Sequence, residues 1–89
     1  MNTDSIGLPL EKLLLLSDKA RTLYDLIYDY CTYSSDPQYQ TLHRFRKAIN
    51  MLTGTDKDLL IEYFNNDPAI NWSGMKETPW EYYTRRRNP

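Results

Sequence analysis

The spacing of apolar residues constrains this chain most, because it keeps the period of an α-helix along nearly the whole length. In the N-terminal third the apolar positions are three or four residues apart, at Leu13, Leu16, Ala20, Leu23, Ile27 and Tyr30. Residues at these intervals lie on one face of a helix. No stretch alternates with the period of two that is typical of a strand. The sequence therefore predicts an all-α fold.

The length decides how many such helices can share a core. The chain has 89 residues, which is enough for one domain because natural domains have about 50–250 residues. We expect a single all-helical domain over residues 1–89, a compact bundle of about five or six short helices. Residues 1–7 and 87–89 are expected to be loose ends.

Prolines and small polar residues predict the helix boundaries in the first half. A helical segment begins near Pro9 and stops at Ser34–Pro37, and Ser17 is able to cap a second helix inside it. One long helix and two shorter ones both remain open at this point. Asp36–Pro37 is predicted to cap and open the next helix, which should end at Gly54. Its apolar stripe contains Leu42, Phe45, Ile49 and Leu52.

The second half carries three further start signals. Thr55 is predicted to cap a helix with a buried side made of Leu59, Leu60, Tyr63 and Phe64. Asp67–Pro68 predicts a short turn of helix through Trp72, ended by Ser73–Gly74. Thr78–Glu81 has the pattern of a capping box and predicts a last helix to about Arg85.

The segment Arg44–Asn65 has the length and turn glycine of a helix-turn-helix. Its second helix carries three acids against Lys57 alone, namely Asp56, Asp58 and Glu62. DNA phosphate would be repelled by this helix, and the net charge of −1 also disfavours a phosphate-binding domain. The pattern favours a helix-turn-helix-like hairpin used for packing or protein contact, with DNA binding as the alternative.

Residue types that carry catalysis or hold ligands are scarce. Cys31 and His43 are the single cysteine and histidine, and the three glycines are isolated. This composition predicts no metal site, no nucleophile pair, no phosphate loop and no cofactor, and so a protein that is not an enzyme. One cysteine also cannot form an internal disulfide, which favours a reducing cytoplasm. The longest apolar run, Leu13–Leu16, is too short to span a membrane.

Leucine is in surplus on the first helix. Leu13–Leu16 sweep around most of the helix circumference, and the core stripe uses only two of them. A chain this small can rarely cover one helix on all sides, so the surplus predicts a surface for a partner or for self-association. The alternative is that the C-terminal segments wrap this helix. The candidate partner-binding residues are Leu10, Leu13, Leu14, Leu15, Ser17, Arg21, Tyr24 and Tyr28.

One stretch of the chain is similar to a known family. The run Phe45–Asn65 resembles the AsiA-like anti-sigma factors of T-even bacteriophages. The matching positions are Phe45, Arg46, Lys47, Ile49, Leu52, Thr53, Asp56, Lys57, Leu60, Ile61, Phe64 and Asn65. The tail Glu81–Thr84 looks similar to the end of that family, and Leu10, Glu11, Leu13 and Leu14 are compatible with its first helix. The chain departs from the family on both sides of the run, and Trp72 and Trp80 have no counterpart.

The resemblance implies a specific function, which the composition of the chain does not indicate. It implies an all-helical inhibitor in the cytoplasm of an infected bacterium, which uses the apolar face of its first helix. The implied partner is the C-terminal, promoter-reading domain of the housekeeping sigma factor, with the flap of core polymerase as a further contact. The resemblance also implies self-association through the same face. Two alternatives stay open: a helix-turn-helix DNA-binding regulator, and a small phage inhibitor of another host protein.

Overall fold

The structure, a computed structural model, describes residues 7–34, 38–70 and 77–85. Within these ranges the chain forms five α-helices and no strand. They are α1 (Leu10–Leu13), α2 (Asp18–Tyr33), α3 (Tyr39–Asn50), α4 (Gly54–Asn66) and α5 (Pro79–Arg85). The predicted all-α bundle of short helices is confirmed.

The N-terminal apolar stripe is divided between two helices. Ser17 has an extended backbone with ψ of 165°, and its side chain accepts a hydrogen bond from the backbone N–H of Ala20. This is the geometry of an N-cap, and it interrupts the helix in front of Asp18. The chain therefore forms a single-turn helix followed by a 16-residue helix, α2.

The predicted limits of α3 are wrong at both ends. The helix begins at Tyr39 after the N-cap residue Gln38, whose backbone N–H donates to the Tyr30 hydroxyl at 2.8 Å. Residues 35–37, which include the predicted cap, lie outside the described residues. At the other end the helix stops at Asn50, four residues before the glycine that was expected to end it.

Gly54 opens α4 instead of closing α3. Its φ of 60° lies in the left-handed region that favours glycine, and the chain reverses there directly into the next helix. The N-cap residue is consequently Thr53, and the predicted cap Thr55 already lies inside α4. The hairpin of α3 and α4 is present, joined by residues 51–53.

The start signals that follow α4 form as predicted within the described residues. The Asp67 carboxylate accepts from the Ala69 backbone N–H at 2.9 Å and starts a turn. Residues 71–76, including Trp72 and Ser73–Gly74, lie outside the described residues.

At α5 the Thr78 hydroxyl accepts from the Glu81 N–H at 3.2 Å, and the Glu81 carboxylate accepts from the Thr78 N–H at 3.3 Å. This reciprocal pair is a capping box, and α5 ends at Arg85 as expected.

The core lies where α2, α3, α4 and α5 meet. Contacts link α3 with α2, α4 and α5, and link α4 with α2 and α5. The most deeply buried apolar side chains are Ala20, Ile27, Cys31, Leu42, Ile49, Leu60, Tyr63, Phe64, Ile70 and Tyr83. Cys31 is a small core residue, as predicted, whereas Phe45 is only partly buried at the edge. Aromatic rings join the helices, and Tyr83 on α5 packs against Phe64 on α4 and Tyr39 on α3.

Gly7 departs from the expectation that residues 1–7 form a loose end. Its φ is 77°, and a Cβ atom at this position would collide with the Tyr24 hydroxyl and crowd the Tyr28 ring. The residue thus lies packed against α2 in a conformation that favours glycine. Residues 1–6 and 87–89 lie outside the described residues.

The capping box of α5 gives a stability prediction. Replacing Thr78→Ala removes the side-chain acceptor for the Glu81 N–H and should lower the free energy of unfolding by about 1 kcal/mol. Urea denaturation followed by circular dichroism measures the change. Thr55→Ala, at an exposed position within α4, is the matched control and should shift stability by less than about 0.5 kcal/mol. Equal stability of the wild type and Thr78→Ala would contradict a structural role for the box.

Candidate partner-binding surface

The helix α1 is a single turn, and the residues that follow it continue with tighter hydrogen bonds, each to the carbonyl three residues back. Pro9 precedes it and accepts from the backbone N–H groups of Lys12 and Leu13, both at 3.0 Å. The Leu15 and Leu16 N–H groups then bond the carbonyls three residues back, at 3.0 and 3.2 Å. This tighter winding rotates successive side chains by about 120° rather than about 100°. At either angle, the consecutive leucines point in different directions around the helix axis.

Two of these leucines attach α1 to the body of the protein. Leu13 and Leu16 are half-buried and pack against the core cluster. Leu8, just before α1, is buried, and its backbone N–H donates to the Tyr24 hydroxyl at 3.1 Å. One side of the segment is therefore a packed contact with the core.

Polar contacts fix α1 against α4. The Lys12 ammonium forms an ion pair with the Glu62 carboxylate. At the α1–α2 junction, Ser17 donates twice to the Asp56 carboxylate, from its backbone N–H at 3.0 Å and from its hydroxyl at 2.7 Å. Because Asp56 and Glu62 both lie on α4, this helix contacts α1 at Lys12 and the α1–α2 junction at Ser17.

The other side of the segment is apolar and exposed. Leu10 is 67%, Leu14 is 72% and Leu15 is 63% exposed. We call these three residues the leucine surface. The three exposed leucines lie close together, within six consecutive residues of the chain. A cluster of exposed large apolar side chains marks an interaction surface more often than a scattered one does.

The remaining predicted site residues divide between the surface and the core. Ser17 and Arg21 are exposed, and Leu13 and Tyr28 are half-buried. Ser17 is occupied as the α2 cap, and the Arg21 guanidinium lies 3.9 Å from the Asp25 carboxylate. None of these four residues is an exposed large apolar side chain like the three leucines of the leucine surface.

Tyr24 does not belong to an exposed face, and its placement there was wrong. The side chain is only 6% exposed, with its ring 4.9 Å from the Tyr63 ring and its hydroxyl on the Leu8 N–H. Burial raises the pKa of this hydroxyl. The reason for the error lies within α2, where the buried positions Ala20, Tyr24, Ile27 and Cys31 follow each other at steps of four, three and four, so Tyr24 takes the place that the predicted stripe gave to Leu23.

The Ser17–Asp56 contact has an electrostatic signature. The hydrogen bond from the Ser17 hydroxyl, followed by that from its backbone N–H, lowers the pKa of the Asp56 carboxyl from its ordinary value of 3.8. Both bonds favour the charged carboxylate. The junction is therefore strongest when Asp56 is ionised.

The sequence did not identify the residues that hold α1 in place. Lys12 and Glu62 are 50 positions apart, and Ser17 and Asp56 are 39 apart. The sequence marks Asp56 as one of three acids on its helix and Ser17 as a possible cap and a candidate partner-binding residue, but it does not pair the two. Their pairing depends on the packing of α2 against α4, which no local pattern encodes.

Cys31 and His43 serve the fold in this structure. Burial raises the pKa of the Cys31 thiol to about 12, which disfavours the thiolate at neutral pH. The His43 ring stacks on Tyr39, with its Nδ1 atom 2.9 Å from the Tyr83 carbonyl oxygen. Among residues 7–34, 38–70 and 77–85, no group of three metal-ligating side chains comes together. No helix in the same ranges is long and apolar enough to cross a membrane.

Comparison with known proteins finds no matching family model, no similar curated protein and no similar solved structure.

The lowered pKa of Asp56 predicts how stability depends on pH. A carboxyl whose pKa is depressed in the folded state stabilises the protein above its unfolded pKa, and this contribution is lost as the pH falls through the folded value. Asp56→Asn should therefore unfold at lower urea than the wild type at pH 7, with the gap closing below pH 3.8. Urea midpoints measured across this range test it.

The double variant Ser17→Ala/Asp56→Asn is the control for this prediction. If the two groups act through their mutual contact, Asp56→Asn should have a smaller effect on stability in the Ser17→Ala background than alone. Additive effects of the two substitutions at pH 7 would contradict the proposed coupling.

Proposed function

We propose that this protein is a regulator that binds another protein through the leucine surface. The observation that carries the proposal is that Leu10, Leu14 and Leu15 stay exposed on a segment that packs on the core through Leu8, Leu13 and Leu16. A surface fixed in this way needs little ordering on binding, which lowers the entropic cost of association.

The affinity of such a contact would come from a few anchors. Three exposed leucines on a short, fixed segment suit a partner with an apolar groove, in the manner of a helix laid into a groove. Truncation of a buried anchor in a contact of this kind typically costs about 1–3 kcal/mol of binding free energy. Leu14, the most exposed of the three, is the anchor that a partner would bury most completely.

We propose the C-terminal, promoter-reading domain of the bacterial housekeeping sigma factor as the partner. The resemblance of Phe45–Asn65 to AsiA-like anti-sigma factors supports this choice. Exposed acids near the leucine surface, Glu11, Asp18 and Asp25, also suit a basic, DNA-reading partner because opposite charges speed its approach. In this proposal the protein acts in the cytoplasm of an infected bacterium and blocks or redirects promoter recognition.

Direct DNA binding is the less favourable use of the hairpin. The helix α4 would be the reading helix, but it carries Asp56, Asp58 and Glu62 against Lys57. Two of these acids are already engaged with α1 and the junction that follows it, at Lys12 and Ser17. A reading helix needs an accessible front with groups that donate to phosphates and bases.

The central test is a substitution within the leucine surface. Leu14→Asp should abolish co-elution with the isolated sigma domain at micromolar concentration, because burying an unpaired carboxylate costs several kcal/mol. Size-exclusion chromatography of purified components, with circular dichroism as a folding check, measures the effect. Helical content should be unchanged because the side chain is exposed.

The matched control is Leu26→Asp on α2. Leu26 is 58% exposed, and it lies about 200° around α2 from Tyr28, whose ring lies beside Gly7. The same substitution there should leave the complex intact. Failure of the wild type to co-elute with the sigma domain would contradict the choice of partner, and equal loss with both variants would contradict the choice of surface.

The other hypotheses give different outcomes in the same set of measurements. A complex with a different host protein, captured by the wild type but not by Leu14→Asp, would keep the surface and replace the partner. Salt-dependent retention of duplex DNA by the free protein would favour the DNA-binding regulator. A homodimer disrupted by Leu14→Asp would place self-association on this surface.

A further inference from the structure

One exposed face of α2 is acidic. Asp18, Thr22, Asp25 and Asp29 follow each other at steps of four, three and four residues, and all four are exposed. Residues at these steps lie on one face of a helix. Tyr33 continues this face at the end of α2 and is 83% exposed. We call these five residues the acidic stripe, which ends in a large aromatic side chain.

The exposed face of α3 is basic and has the same spacing. Gln40, Arg44 and Lys47 are exposed and follow each other at steps of four and three residues. Met51 follows four residues later, directly after the helix, and is 79% exposed. We call these four residues the basic stripe. No acidic residue lies anywhere on α3, so the charge of this stripe is entirely positive.

The charges of the two stripes are largely unpaired within the chain. Arg44, Lys47 and Asp29 form no ion pair with any residue in the described part of the chain. The Asp25 carboxylate lies 3.9 Å from the Arg21 guanidinium, one turn earlier on the same helix. An exposed pair of this kind contributes little free energy. Both stripes therefore present charge that an external group of opposite sign can pair.

The stripes match position by position when α3 of one copy lies parallel to α2 of another. The matching positions differ by 18 or 19 in residue number, in the pairs Gln40–Thr22, Arg44–Asp25, Lys47–Asp29 and Met51–Tyr33. Because both helices rise by about 1.5 Å per residue, a single alignment brings all four pairs level along the helix axes. Two pairs combine opposite charges, and the last pair joins the apolar ends of the stripes.

The antiparallel direction matches less completely. It can also pair both cations of the basic stripe with two acids of the acidic stripe, but it places Met51 at the opposite end from Tyr33. These two are the most exposed large apolar side chains in the described part of the chain. A methionine sulfur packs favourably on an aromatic ring, and burial of both side chains removes apolar area from water. The parallel direction therefore satisfies the charges and the apolar ends together.

We propose that the basic stripe of one copy of this chain binds the acidic stripe of a second copy, with the two helices parallel. The ion pairs of Arg44 with Asp25 and of Lys47 with Asp29 would set direction and register, and the contact of Met51 with Tyr33 would add apolar area. Each copy contributes a different face, so the interface is head-to-tail, and one copy can bind a neighbour through each stripe.

The contact uses no residue of the leucine surface, and it goes beyond the function proposed above. It is small, because one helix face meets another, and small interfaces are typical of transient complexes. We therefore expect weak association, with a dissociation constant of about 0.1 mM.

Sedimentation velocity of the full-length protein at low salt, over about 10 µM to 1 mM, tests the proposal. The sedimentation coefficient of the wild type should rise with concentration, and salt at about 0.5 M should suppress the rise because exposed ion pairs are screened. Lys47→Glu should weaken association about tenfold or more, since it places a carboxylate against Asp29 of the second copy. Circular dichroism should show unchanged helical content because Lys47 is exposed.

A charge swap separates this contact from a general effect of charge. Lys47→Glu/Asp29→Lys keeps the net charge of −1 and rebuilds the ion pair with reversed signs, so association should return to within about threefold of the wild type. Lys47→Glu/Asp58→Lys is the matched control, because it has the same net charge and Asp58 is exposed on α4, outside both stripes. This control should associate as weakly as Lys47→Glu.

Leu14→Asp should leave association unchanged, so this contact and the leucine surface are tested separately. Asp29→Lys alone should weaken association as Lys47→Glu does, and it serves if Lys47→Glu disturbs folding. The proposal is overturned if the wild type stays monomeric up to about 1 mM, if the two double variants associate equally, or if Leu14→Asp abolishes association.

Discussion

The pairing of Ser17 with Asp56 joins the start of α2 to α4, and it holds the leucine-bearing residues that precede Ser17 beside the core. The same serine caps α2 through Ala20, so one residue starts α2 and joins it to α4. The Lys12–Glu62 ion pair fixes the turn before it. With both contacts in place, Leu13 and Leu16 pack on the core while Leu10, Leu14 and Leu15 are exposed.

The leucine surface stays outward because the rest of its segment turns inward. Leu8 is buried, and Leu13 and Leu16 pack on the core that α2, α3, α4 and α5 form. Leu10, Leu14 and Leu15 are left exposed on the opposite side, with the exposed acids Glu11 and Asp18 close to them in the sequence. The proposed partner is accordingly one with an apolar contact surface and basic charge.

Periodicity and capping residues were sufficient to predict the all-α fold, the capping box at Thr78 and Glu81, and the buried side of α4. They misplaced the α3–α4 turn, because Gly54 was expected to end a helix and its left-handed backbone instead opens one. They predicted that some leucines stay exposed but assigned Tyr24 to the wrong side of α2, because Leu23 and Tyr24 are adjacent and both fit a stripe with Ala20 and Ile27. Contacts between residues far apart, such as Ser17 with Asp56 or Arg46 with Trp80, follow from packing and have no local signal.

The most direct test of the central claim observes the leucines themselves. Protein labelled with ¹³C in its leucine methyl groups, titrated with the isolated C-terminal sigma domain and followed by NMR, reports which leucines enter the interface. The account predicts that the methyl signals of Leu10, Leu14 and Leu15 shift or broaden at stoichiometric partner, with Leu26 unchanged. A complex in which Leu26 responds and those three signals stay in place would contradict it.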